Sequence, residues 1–144
     1  MSVVQILVVD DSLPWQRFVQ SHLEAEPELK VIAIAADGSE GVQKANEVQP
    51  DVVLMDVSLP EMNGIDATRQ IRKVSPGSKI LFLTMMDDIT VIQAAFEVGG
   101  SGYVFKWDAG RDLIPGIRAI LLGQQFVSHS LSGRHGSSNR DSKS

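Results

Sequence analysis

Residues 6–12 read ILVVDDS. Four apolar residues, rich in β-branched side chains, run straight into two adjacent carboxylates, Asp10 and Asp11. A short continuous apolar run predicts a strand buried on both faces, as in a parallel sheet. Two like charges at the end of such a strand repel, and burial strengthens the repulsion. A positive group is therefore expected beside them. Working outward from strand 5–10, similar runs occur at 31–36 (VIAIAA), 51–56 (DVVLMD), 79–84 (KILFLT) and 102–105 (GYVF).

Between the runs the apolar period changes from continuous to helical. Trp15, Phe18, Val19, His22 and Leu23 recur at i, i+3, i+4, with Ser12 placed to cap the helix and Pro14 in its first turn. Val42, Ala45 and Val48 repeat in the same way, as do Ile65, Thr68 and Ile71. A fourth helix is predicted over 88–98, closed by Gly99 and Gly100, and a fifth over about 110–122. Pro115 fits that last helix if it lies in the first turn, where N–H groups lack intrahelical partners. Five βα units in a row predict a parallel sheet with helices on both faces.

Composition narrows the function. The chain has 144 residues, 43% hydrophobic and 22% charged, which suits one globular domain with a full core. A net charge of −5 argues against direct nucleic-acid binding, which wants a basic face. There is no Cys, hence no disulfide framework and no thiolate chemistry. No basic leader with a cleavage site and no apolar run of membrane-spanning length is present, so a cytoplasmic protein with no membrane partner is expected. Residues 124–144 are Ser-rich and poor in aliphatic side chains, and they are expected to form a flexible tail or linker stump after a domain at 1–123.

In an open α/β sheet, ligands sit beyond the carboxyl ends of the strands, where the strand order reverses. Those ends carry Asp10 and Asp11, then Asp56, then Thr84, with Lys106 directly after the last strand. If the order is 2-1-3-4-5, the first and third strands are neighbours and the three carboxylates share one pocket. Clustered carboxylates suit a hard divalent cation such as Mg²⁺, which accepts few carboxylates and welcomes a phosphate. A metal, a lysine and a hydroxyl around a carboxylate are the parts of in-line phosphoryl transfer, with Asp56 in the nucleophile's place.

These residues together resemble the receiver domains of two-component response regulators. The resemblance covers 4–122 and rests on the Asp10–Asp11 pair, LMDVSLPEMNG at 54–64, LFLTMMDD at 81–88 and GGSGYVFK at 99–106. It implies a flavodoxin-like (CheY-like) α/β fold with a five-stranded parallel sheet of order 2-1-3-4-5 and helices on both faces. It implies Asp56 as phosphoacceptor and Mg²⁺ as cofactor, held by Asp10, Asp11, Asp56 and the Ser58 backbone carbonyl. It implies Thr84 and Lys106 as phosphoryl contacts, and Thr84 and Tyr103 as the switch pair. A sensor histidine kinase or phosphotransfer protein is the implied donor. The chain would then be no enzyme beyond its own phosphotransfer and slow autodephosphorylation.

LTMMDD and the FVS that follows LLGQQ are similar to receivers of the NarL/LuxR type, whose output is transcriptional. The chain departs from that pattern after residue 130, where no amphipathic helices follow, and at Trp107, where many members carry Pro.

Other readings of the same residues are blander. Asp10 and Asp11 taken singly read as helix-capping carboxylates, Thr84 as β propensity and Lys106 as a solvated lysine. GGSG at 99–102 is no phosphate cradle, because it leads from helix to strand. His22, His129 and His135 lack ligand spacing. The helix at 88–98 has little polar face, so part of it is expected to meet a partner or a second copy through the 88–122 surface. The rival function is a pseudo-receiver, a module that docks partners without phosphorylation. A hydrolase working through an aspartyl phosphate ranks lower, since Ser58 stands where its second acid belongs.

Overall fold

The computed structural model describes residues 3–131. The elements are β1 (Val4–Val9), α1 (Leu13–Leu23), β2 (Leu29–Ala35), α2 (Gly38–Val48), β3 (Val52–Met55), α3 (Gly64–Val74), β4 (Lys79–Thr84), α4 (Ile89–Glu97), β5 (Gly102–Phe105), α5 (Ala109–Leu121) and β6 (Phe126–Val127). A single 3₁₀ turn, Lys106–Asp108, joins β5 to α5. The sheet is parallel throughout, in the order β2-β1-β3-β4-β5-β6. The flavodoxin-like fold and the expected order of the first five strands are both present.

Alternation along each strand explains why the apolar runs are continuous. Leu7, Val9, Val53, Met55, Ile80 and Phe82 pack on one face with Ala45, Ala67, Ile71, Ile92 and Ala95 of α2, α3 and α4. Their neighbours Ile6, Val8, Val52, Leu54, Leu81 and Leu83 pack on the other face with Val19 and Leu23 of α1 and Leu113, Ile117 and Ile120 of α5. Both faces are core, so both parities must be apolar.

Local chemistry starts four of the helices, with Ser12 at α1 as the sequence suggests. Ser12 accepts from the Trp15 amide, Asp37 from Glu40, Asn63 from Asp66 and Asp88 from Thr90. Gly99 ends α4 at φ +107, a conformation that costs an L side chain dearly. Gly64 opens α3 for a different reason: its amide donates to the Val57 carbonyl at 2.8 Å, and a Cβ there would lie 1.9 Å from the Asp56 carbonyl oxygen. Only glycine lets α3 start this close behind Asp56.

Two expectations change. The first concerns Pro115, which is not in the first turn: it sits inside α5, six residues after Ala109. Lacking an N–H, it leaves the Arg111 carbonyl without its i+4 donor. Both residues are solvent-exposed, so water can take that bond. The second concerns the boundary at residue 123. Phe126 and Val127 form a sixth strand beside β5, and Leu131 is buried in the core. Two apolar residues among polar ones carry too little periodicity to announce a strand. Of the expected tail, residues 132–144 lie outside the described residues.

Candidate functional site

Strand register gathers the charged residues. Val9 of β1 pairs with Met55 of β3, Met55 with Phe82 of β4, and Thr84 with Phe105 of β5. Asp10 and Asp56 therefore extend one step beyond adjacent strands, roughly 4.8 Å apart by strand spacing. One carboxylate oxygen from each of Asp10, Asp11 and Asp56 lies within 4.8 Å of the other two. Asp10 and Asp56 are buried, while Asp11 is exposed.

The expected positive group is present, and it belongs to the chain. Lys106 Nζ, itself buried, lies 2.8 Å from Asp10 Oδ2 and 2.9 Å from Asp56 Oδ2. The remaining oxygens are also engaged. Asp10 Oδ1 accepts from the Ser12 amide at 2.8 Å, and Asp56 Oδ1 accepts from the Val57 amide at 2.7 Å. The Trp15 ring lies over the ammonium, with its centroid 5.0 Å from Nζ. The helical period of the sequence places Trp15 on the apolar face of α1.

Electrostatics at the site pull in two directions. Burial raises the Asp10 carboxyl above its ordinary 3.8, and the bonds from Lys106 and Ser12 only partly offset this. Burial by itself would lower Lys106, but its hydrogen bonds to Asp10 and Asp56 outweigh it and leave the ammonium above its ordinary 10.5. The asymmetry has a simple cause: one ammonium serves two carboxylates. Lys106 has partners to spare, whereas Asp10 has a shared counter-charge and a like-charged neighbour.

A pH prediction follows. The folded Asp10 carboxyl binds its proton more tightly than the unfolded one. Ionised Asp10 therefore costs stability above its folded pKa, and that cost is relieved as pH falls toward 3.8. Asp10→Asn, measured by denaturant melts in chelator, is expected to be more stable than the parent at pH 7. The gap should close as the pH approaches 3.8. A gap that does not vary with pH would remove the assignment.

The fourth and fifth strand ends are linked through a loop carbonyl. Thr84 is fully buried, and its Oγ1 accepts from the Met86 amide at 3.3 Å. Tyr103 OH donates to the Met86 carbonyl at 2.7 Å, with the ring packed inside the core. Burial, followed by the nearby Asp56, Asp87 and Asp88 charges, raises the Tyr103 phenol well above its ordinary 10.0. Thr84 and Tyr103 thus grip opposite sides of one residue. Ser58 is exposed on the loop after Asp56. His22 stacks on Phe18 away from any ligand cluster, and His135 lies outside the described residues.

Residues 6–118 match the family model of the response regulator receiver domain. The chain belongs to this family. The receiver is 32% identical over 124 residues to the transcriptional regulatory protein DegU of Brevibacillus brevis, covering 86% of this chain and 52% of that one. It is 34% identical over 132 residues to the transcriptional regulatory protein LiaR of Bacillus subtilis, covering 92% and 63%. The receiver thus spans about half to two-thirds of the length of these relatives. A crystal structure of a LuxR-family two-component response regulator from Aurantimonas superposes with a TM-score of 0.89 at 35% identity, covering 96% of this chain and 99% of that one. Receivers of response regulators interact with histidine kinases or phosphotransfer proteins. Among the described residues no helix is long and apolar enough to cross a membrane.

Proposed function

We propose that this receiver takes a phosphoryl group onto Asp56 from the phosphohistidine of a sensor kinase or phosphotransfer protein, in the cytoplasm and with Mg²⁺. The observation that carries it is the buried Lys106 ammonium held between Asp10 and Asp56, with Asp11 alongside. In the transfer, Asp56 attacks phosphorus in line. A P–O bond forms as the P–N bond breaks, and that bond's electron pair leaves with the imidazole. Lys106 meets the incoming phosphoryl oxygens as a compact point charge. Thr84 keeps its hydroxyl proton to donate to another of them. Three carboxylates without a full set of counter-charges fit a divalent cation, which Asp10, Asp11, Asp56 and the Ser58 carbonyl would hold. When bound, Mg²⁺ supplies positive charge against the phosphoryl oxygens.

The deciding experiment is incubation with acetyl phosphate and Mg²⁺, followed by mass measurement and borohydride trapping of the labile adduct. A mass gain of one phosphoryl group that maps to Asp56 is expected. No gain would leave the pseudo-receiver. The metal assignment has its own test, since Trp15 lies close enough to Lys106 to report on the site by fluorescence. Asp11→Ala is expected to weaken Mg²⁺ by about tenfold or more. Equal titrations would remove Asp11 as a ligand.

The receiver has no activity beyond its own phosphotransfer and slow autodephosphorylation. Its output passes through the 88–122 face, in a second copy or a partner, and serves transcriptional control in the longer protein that the relatives suggest. Thr84 and Tyr103 are the switch pair, joined through Met86. Exposed Ile89 and Trp107 support a contact there. Light scattering with and without beryllofluoride and Mg²⁺ reads it.

A further inference from the structure

After α5 the chain returns along the free edge of β5, and it is then fastened to the turn that carries Lys106. The Ser128 amide donates to the Tyr103 carbonyl at 2.8 Å. Ser128 Oγ donates to the Asp108 carboxylate. The Ser130 amide and hydroxyl donate to the same carboxylate at 3.0 and 2.9 Å. Trp107 Nε1 donates to Ser130 Oγ at 3.2 Å. The His129 amide donates to Asp112 at 2.7 Å, and Leu131 is buried beyond it. Trp107 and Asp108 directly follow Lys106, and all three belong to one 3₁₀ turn, closed by the Ala109 amide on the Lys106 carbonyl.

The other end of that turn faces the reacting atom. Asp56 Oδ1 is taken by the Val57 amide, which leaves Oδ2 to react, and Oδ2 is the oxygen that Lys106 now holds. A phosphoryl group on Oδ2 would remove its charge and set the new anionic oxygens farther out. Lys106 must follow them. Its side chain is buried, with the Trp15 ring over the ammonium, so there is little room for the chain to swing alone. The displacement then passes into the backbone turn.

We propose that residues 126–131 are a latch that reads the state of Asp56: Trp107 and Asp108 hold Ser128 and Ser130 on the turn that carries Lys106, and a phosphoryl group on Asp56 loosens that hold. The inference rests on Asp56 as acceptor. It gives the occupied site a route to the chain beyond residue 131. Coupling of this kind is reciprocal, so cutting the latch must favour the loaded site by the same factor.

The test uses the full chain with beryllofluoride and Mg²⁺, the fluoride standing in for the phosphoryl group on Asp56. Fluorine NMR shows whether it is bound, and amide exchange reads residues 126–131. Loading is expected to speed exchange of the Ser128, His129 and Ser130 amides by about fivefold or more. Asp108→Ala is expected to bind beryllofluoride more tightly by a similar factor. Ser130→Ala, a milder cut, should do so to a lesser degree and serves where the first variant folds poorly. Bound fluoride with unchanged exchange, or with equal affinity in the variants, overturns the latch alone. Absence of any bound fluoride in the parent overturns the acceptor assignment, and the latch with it.

Discussion

Asp56→Asn is expected to abolish phosphoryl uptake altogether while leaving the fold intact. An amide at this position keeps an oxygen to accept the Val57 amide and another polar atom near Lys106, but it has no anionic oxygen to attack phosphorus. The fold should not suffer. Asp56 and Asp10 are buried side by side and share one ammonium, so removing one carboxylate leaves the other a full counter-charge. Buried ion clusters seldom stabilise, because desolvation cancels most of the Coulombic gain. The melting temperature is therefore expected to be no lower than the parent's. Acetyl phosphate labelling at pH 7 with Mg²⁺ checks the first expectation, and a thermal melt checks the second. Labelling at the parent's level would move the acceptor elsewhere.

Lys106→Met is expected to lose both chemistry and stability. Methionine matches the stem in length and apolar character, so the core around it stays filled. What goes is the charge. Two buried carboxylates then face each other with no ammonium between them. Removing one partner of a buried ionic cluster costs about 3–5 kcal/mol. The loss should be greatest at neutral pH in chelator and should shrink on acidification, because the raised Asp10 carboxyl is the one that protonates. Adding Asp10→Asn to Lys106→Met should recover part of the stability. For phosphoryl uptake, loss of a preorganised charge contact is expected to slow the reaction about 10²–10³-fold. A Lys106→Met protein as stable as the parent across pH 4–8 would show that the ammonium does not hold the site together.

Much of this could be read from the residues in order. The five main strands were legible because burial on both faces removes polar residues from short runs such as 51–56 and 79–84. The start of α1 was legible because capping is local: Ser12 serves Trp15, three residues on. The site was legible as a set of strand ends, because a parallel sheet brings the carboxyl end of every strand to one rim. Asp10, Asp56 and Lys106 needed only the order of the strands to come to one rim.

Other features came from contacts with no local signature. Sequence brought Lys106 to the same rim as the carboxylates, but only the packed chain shows its ammonium bridging Asp10 and Asp56, the latter fifty residues away. Pro115 sits where helix rules discourage it, because Leu113, Gly116 and Ile117 hold α5 against the sheet. The sixth strand depends on the free edge of β5, and Asp108 finds Ser128 and Ser130 across some twenty residues.

The sequence by itself determined the layering of the sheet and helices and the residues that end each strand, since periodicity and capping act between near neighbours. Only the tertiary structure decided which charge neutralises which and where the chain is fastened after α5. Hydrogen bonds and ion pairs between distant residues form once the backbone has brought them within about 3 Å, and no spacing along the chain encodes that meeting.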